Sequence, residues 1–322
     1  MTTLVTGASG ALGRRVVPML SGAPIVPLDG TSDVPTHADR LVHLAAGDHD
    51  TLARRRMSAL EVTEGALAAA SAAGVNHLVV LSSAMVYGAW PNNSVPLTED
   101  APLRPDVGFA FATQLAMVEQ MADAWRVAVP GRTVGVLRPA LAVAAEGTTS
   151  VVRALVAGLG TRLDEDDPPS QFLHLDDLAA AVVLAHDKQL DGVFNVAPDG
   201  WVPGDTVRAL AGRPPRLRLP SWLADPVADL RWRFQRGPIP PGLRSYARHP
   251  WPVANDRLRA AGWTPTTTNE QAYVEATEPK WWTMLTPKRK QELSLGAMGL
   301  LSAGLAAALV AAIRRARSRL RS

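Results

Sequence analysis

Cysteine is absent from all 322 residues. That excludes disulfides and thiolate metal sites, accords with a reducing compartment, and leaves no metal to be expected. Tyrosine is nearly as scarce. Any chemistry that needs a phenol must come from Tyr87, Tyr246 or Tyr273, and the residues four positions beyond them are Pro91, Pro250 and Thr277. No lysine therefore stands one helical turn after a tyrosine. No internal repeat is visible, and no secretory signal, because a strand-like run already begins at Thr3. Most of the chain also lacks a positive net charge. The formal net charge is +3, but Lys280 to Ser322 holds nine Lys or Arg against Glu292 alone, so the remainder is mildly acidic. A nucleic-acid footprint would spread over a folded face, and no nucleic-acid partner is expected.

What is present is organised around Thr6 to Gly13, T-G-A-S-G-A-L-G. Thr3 to Val5 reads as a short buried strand, the glycines as a tight turn, and Leu12 onward as a helix. Gly7 permits the bend, Gly10 lets backbone amides approach a phosphate, and Gly13 lets the helix pack close on the strand. A helix N-terminus there offers N–H donors and a favourable dipole to an anion. Asp29 closes a second apolar run, Ile25 to Leu28, about twenty residues beyond the turn, where a carboxylate can bind a ribose 2′-hydroxyl. It favours NAD over NADP, which is the less expected cofactor; an ordinary turn aspartate is the alternative.

Arg40 to Ala46 reads as the next strand, separated from the Asp29 strand by too few residues for the usual helical crossover. His43 within it reads as a packed core histidine. Thr51 to Ala73 is expected to be helical and to end at Gly74, with Arg54, Arg55 and Arg56 as a solvated charge run. Val75 to Leu81 is a strand ending in S-S-A-M-V-Y-G, which places Ser82 and Ser83 at the carboxyl edge of a parallel sheet, where such sheets bind ligands. Phe109 to Ala128 reads as helix and Thr133 to Leu137 as strand. Phe172 to Ala179 leads into another helix, with Asp176 or Asp177 suited to the N-cap. Val193 to Ala197 is a short strand.

Taken in order, T-G-A-S-G-A-L-G, H-L-A-A (His43 to Ala46), S-S-A-M-V-Y-G, L-R-P (Leu137 to Pro139), F-L-H-L-D-D-L-A and A-G-W-T-P (Ala261 to Pro265) resemble the extended short-chain dehydrogenase/reductase family, the nucleotide-sugar epimerases and dehydratases, over residues 1 to about 275. The resemblance implies a Rossmann doubly wound parallel sheet with a small C-terminal substrate lobe. It implies cofactor contacts from Gly7, Ser9, Gly10, Ala11, Leu12, Gly13, Asp29, Leu44, Ala45, Ala46 and Pro139, and a substrate-binding hydroxyl at Ser83. The family's acid/base tyrosine and its lysine four residues on fall, in the register of Met117 to Gln120, on Phe111 and Leu115. A helix asparagine of the family falls near Ala59. Such a tyrosine passes the proton that accompanies hydride transfer and is worth about 10² to 10⁴ in rate. Arg213, Arg216 and Arg218 match the lobe arginines that hold a substrate diphosphate in the family, or form an exposed edge. Ser221 to Arg236, with alternating aromatic and basic residues, suits an interfacial or lid element, or simple packing.

Leu293 to Ile313 is an uncharged run of 21 residues. As a helix it would reach about 30 Å, the thickness of a bilayer core. Trp281 and Trp282 precede it, with Lys288 to Lys290 between and Arg314 to Arg321 after, an arrangement suited to lipid headgroups. A re-entrant or surface-lying helix stays open, because a simple span would carry five arginines away from the cytoplasmic side. The expected organisation is a dinucleotide-binding domain over 1–170, with 171–200 returning to it, a substrate lobe over 201–278, an interfacial linker over 279–292, and a membrane helix and basic tail over 293–322. The expected function is a membrane-attached cofactor-binding scaffold, sensor or subunit, held on the cytoplasmic side of a membrane with a membrane-protein partner or as a homo-oligomer. The alternative is an active oxidoreductase or epimerase on a nucleotide- or lipid-linked sugar, using Ser83 and an unrecognised acid.

Overall fold

Strand β1 (Thr3–Thr6) is buried along its whole length, as a strand must be when helices cover both faces of its sheet. In the computed structural model, which describes residues 2–20, 24–28, 35–45, 58–159, 167–211 and 242–277, β1 leads through the glycine turn into α1 (Gly13–Met19). The chain continues through β2 (Ile25–Pro27), β3 (Arg40–His43), α2 (Ala59–Ala72), β4 (His77–Leu81), a 3₁₀ turn (Ala84–Tyr87), α3 (Ala110–Val127) and β5 (Thr133–Pro139). Then come β6 (Leu141–Val143), α4 (Ser150–Gly158), β7 (Phe172–His174), α5 (Leu175–Asp187), β8 (Gly192–Val196), α6 (Gly204–Leu210), α7 (Leu243–Tyr246), α8 (Asp256–Ala260) and α9 (Asn269–Ala276). Six strands form one parallel sheet in the order β2-β1-β3-β4-β5-β8. A second, two-stranded sheet pairs β6 with β7.

The order explains the short connection between β2 and β3. These strands do not pair with each other. They flank β1, one on either side, and among the described residues β2 is the edge strand of the sheet. The direction of winding reverses between β1 and β3, which opens a crevice at their carboxyl ends, the switch point where such sheets take ligands.

Helix α2 begins at Ala59, not near Thr51, and a capping box starts it. The Ser58 hydroxyl accepts from the Glu61 amide at 3.2 Å, and Glu61 accepts from the Ser58 amide at 2.8 Å, satisfying two orphan donors at once. Gly74, at φ +73°, follows its C-terminus. The cap of α5 is His174, whose Nδ1 accepts from the Asp176 amide at 3.2 Å, and neither Asp176 nor Asp177 takes that role. Asp177 is buried and accepts instead from the Thr266 amide, the Thr266 hydroxyl and the Thr267 amide at 2.9, 2.6 and 3.0 Å. It thereby pins the segment after Trp263 to α5.

The chain divides into two compact units, Met1–Thr277 and Glu278–Ser322. The described residues belong to the first. Arg54 to Arg56, Arg213 to Arg218, Ser221 to Arg236 and the apolar run 293–313 lie outside the described residues. Among those described, no helix is long and apolar enough to cross a membrane, and no group of His and acidic residues is placed to hold a metal.

At the opposite end of the sheet from the crevice, buried His77 bonds Thr133 Oγ1 through Nδ1 at 2.8 Å and the Ala185 carbonyl through Nε2 at 3.3 Å. Burial lowers it to about 4, helped by the positive charge of Arg40 and opposed by the Ala185 hydrogen bond. Nearby His186 is also lowered, again by burial first. An unfolded histidine takes up its proton below about 6.5. Between that point and about 4 the unfolded chain binds more protons than the folded one, so stability is full above the window and falls as pH drops through it. Urea midpoints measured from pH 7.5 down to 4.5 should decline steadily, and His77→Gln should flatten the decline.

Candidate functional site

The crevice is shaped first by what its glycines allow. Gly7 sits at φ +75°, and a Cβ there would lie 3.1 Å from the Ala45 nitrogen and 3.2 Å from Leu44 Cβ. At Gly13 a Cβ would fall 2.1 Å from the Gly7 carbonyl oxygen and 2.5 Å from that of Ala8. Backbone bonds close the turn: the Gly10 amide donates to Gly7 at 3.0 Å, and the Arg14 amide to Gly10 at 2.9 Å. Beneath it runs a buried polar chain in which Thr6 Oγ1 meets His43 Nδ1 at 2.7 Å, and His43 Nε2 meets Thr63 Oγ1 at 2.9 Å. Thr63 then donates to the Ala59 carbonyl at 2.7 Å. His43 is thus a fully paired core residue that fixes the end of β3 against the turn.

A cavity of about 280 Å³ opens above this turn. Gly7, Ser9, Gly10, Ala11, Leu12, Gly13 and Leu44 line one end, with Arg14, whose guanidinium donates to the Ser9 carbonyl at 2.6 Å. Ser82, Ser83, Met85, Phe111 and Pro139 line the other. The expected contacts are therefore brought together with few exceptions. Ala45 is buried beside Gly7 and does not line the cavity; Asp29 and Ala46 lie outside the described residues. Leu115 does not line the cavity either. It is fully buried, in a core cluster with Leu78, Val118 and Val134, because position 115 falls on the face of α3 turned toward the sheet and α2.

The serine pair at the end of β4 is differentiated. Ser83 caps the 3₁₀ turn, its hydroxyl accepting from the Met85 amide at 3.2 Å. Ser82, to which the resemblance assigns no role, donates to Glu119 Oε1 at 2.5 Å. Glu119 is held by Arg138, whose Nε reaches both carboxylate oxygens and one of whose terminal nitrogens reaches Oε2 at 2.5 Å. The other terminal nitrogen of Arg138 donates to the Tyr87 hydroxyl at 2.7 Å, and Tyr87 donates to Asn195 Oδ1 at 2.8 Å. All five residues are buried. The available sequence signal was Glu119 itself: an acid among the apolar positions of α3 requires a buried partner.

The three tyrosines all stand away from the cavity lining. Burial pushes the Tyr87 phenol up, against the opposing pull of Arg138. Tyr246 is also raised by burial, and its hydroxyl donates to the Met85 carbonyl at 2.6 Å. Tyr273 is buried with its ring centroid 4.8 Å from that of Phe172. The half-buried Phe111 ring stands 5.6 Å from Phe109, which stands 5.6 Å from Tyr246, itself 5.4 Å from Trp251.

Comparison with known proteins agrees with this architecture. The profile described as the NAD dependent epimerase/dehydratase family matches residues 29–197. A Streptomyces protein named 3-diazoavenalumate denitrifying reductase is 30% identical over 315 residues, covering 83% of this chain and 96% of its own. UDP-glucose 4-epimerase of Thermus thermophilus, solved with NAD, superposes with a TM-score of 0.58 at 18% identity, over 86% of this chain and 97% of that one. A human epimerase family protein solved with NADPH gives 0.59 at 19% identity, over 86% and 99%. At such identities the structural likeness speaks to the fold.

Three substitutions test the framework. Arg138→Met would leave the Glu119 carboxylate buried without its cation and should lower unfolding free energy by roughly 3–5 kcal/mol in urea titrations, with Tyr87→Phe costing about 1–3 kcal/mol through the unpaired Asn195 oxygen. Gly13→Ala should cost about 1–3 kcal/mol by overpacking the turn, with the loss read in the same titration.

Proposed function

Because the chain belongs to the NAD-dependent epimerase/dehydratase family, we propose that its cavity binds NAD(P) and that the protein acts through this binding, as a cofactor-holding scaffold, sensor or subunit, without the tyrosine-driven proton transfer of sugar-nucleotide oxidoreduction. The fit to the cofactor rests on the turn, where a Cβ on Gly13 would fill the fold and where Gly7, Gly10 and Leu44 face the cavity. Gly7 to Gly13 would hold the pyrophosphate, and Pro139 and Ser83 would flank the nicotinamide end. The observation that carries the reading is that Phe111 occupies the cavity wall while Tyr87, Tyr246 and Tyr273 are all buried elsewhere. Phenylalanine has no exchangeable proton. Asp29 favours NAD over NADP in this reading.

A second reading, a working reductase, is favoured by the Streptomyces relative named for the denitrification of a diazo compound. Reduced nicotinamide, held over Gly7 to Gly13, would supply a hydride, and an acceptor completed by hydride alone would need no proton from the protein. Such an acceptor would suit a wall without a phenol. For the sugar-directed alternative, structural neighbours that act on nucleotide sugars, such as UDP-glucose 4-epimerase, support the substrate class, a nucleotide-linked sugar. We also propose that the run 293–313, with basic residues on both sides, attaches the protein to a bilayer with residues 1–277 on the cytoplasmic side; carbonate extraction of membranes from expressing cells should leave it in the pellet.

Calorimetry should register binding of NAD or NADP at micromolar to millimolar levels, with no hydride exchange from UDP-glucose. Phe111→Tyr should raise any such exchange by about 10²-fold or more if the phenol is what is missing. Leu115→Lys is the poorer companion, since it would put an ammonium into apolar core. Turnover of a sugar nucleotide by the wild type would sink the binding-only reading, and failure to bind either dinucleotide would sink both.

A further inference from the structure

The two serines at the cavity floor present opposite hydrogen-bonding character, and the difference is set by their buried partners. Ser82 has its proton committed: Oγ donates to Glu119 Oε1 at 2.5 Å. Glu119 cannot be the donor in that contact, because Arg138 donates to both of its oxygens and a carboxylate so held is an acceptor only. Toward the cavity Ser82 therefore offers lone pairs and no proton. Ser83 is arranged the other way. Its oxygen accepts the Met85 amide at 3.2 Å, and its own hydroxyl hydrogen remains available to donate.

We propose that Ser82, oriented by Glu119 and Arg138, is the binding residue that accepts a hydrogen bond from the ligand, so that the cavity selects compounds carrying a hydroxyl donor, with Ser83 donating to an acceptor atom of the same ligand. The ligand class is an alcohol set on an apolar frame, since Leu81, Met85, Phe111 and Val152 form the surrounding wall. This holds whether or not a dinucleotide fills the glycine turn, because the polarity of Ser82 is fixed by α3 and β5 alone.

The test uses the full chain without added cofactor and three probes of similar size: benzyl alcohol, benzyl methyl ether and benzaldehyde, with dissociation constants from ligand-observed NMR. The alcohol should bind roughly two- to tenfold more tightly than the ether, the worth of one net hydrogen bond. Ser82→Ala should erase that advantage and Ser82→Thr should restore it, while Ser83→Ala should weaken benzaldehyde and leave the alcohol-to-ether ratio in place. Glu119→Gln, whose amide can donate to Ser82, should invert the preference toward the ether and the aldehyde; if that variant fails to fold, the Ser82 pair alone decides. Equal affinity for alcohol and ether in the wild type, no binding of the alcohol, or an alcohol advantage that survives Ser82→Ala would each overturn the proposal. Calorimetry with NAD on the same samples reports separately on the dinucleotide reading.

Discussion

A guanidinium and a carboxylate, Arg138 and Glu119, meet inside the protein, where both are buried. Two such charges can stay ionised there only if every remaining donor and acceptor around them is engaged. That requirement organises the neighbourhood. Ser82 turns its hydroxyl to Glu119, Tyr87 takes the remaining guanidinium nitrogen, and Asn195 takes the tyrosine proton. Three adjacent strand ends, those of β4, β5 and β8, are thereby tied to α3 at the level where the cavity floor lies. A tyrosine used in this way is unavailable for proton transfer, so structural and chemical roles compete for the same scarce residue type, and structure has taken Tyr87.

The opposite end of the cavity depends on the absence of atoms. The bend at Gly7 and the close approach at Gly13 leave no room for a Cβ, and the turn could not otherwise bring its backbone beneath the space where phosphates would lie. The shortened connection between β2 and β3 leaves this geometry untouched, because β1 pairs with both of its neighbours in parallel.

Local signals were enough for much of this. The glycine spacing, the continuous apolar strands and the S-S-A-M-V-Y-G segment specify the sheet and the two ends of the cavity, because each is dictated within a few residues. The S-x-x-E box at Ser58 and Glu61 was equally readable and would have placed the start of α2 correctly. The cap of α5 was not, since Asp177 finds better donors in Thr266 and Thr267, nearly ninety residues away. The division of labour between Ser82 and Ser83 was hidden for the same reason: it depends on Glu119 and Arg138, which only tertiary packing brings to Ser82. Leu115 illustrates the reverse limit. Its register was read from the motif, but that it faces the core and not the cavity follows from the rotation of α3.

The aromatic run from Phe111 through Phe109 and Tyr246 to Trp251 has a mechanical corollary. Phe109, Tyr246 and Trp251 interlock edge to face, and the Tyr246 hydroxyl grips the Met85 carbonyl in the cavity wall. The short helix Leu243–Tyr246 is therefore part of the stationary jaw. A hinge that swung it away on each visit of a ligand would have to break several aromatic contacts and a buried hydrogen bond together, so admission and release must proceed with this segment clamped in place.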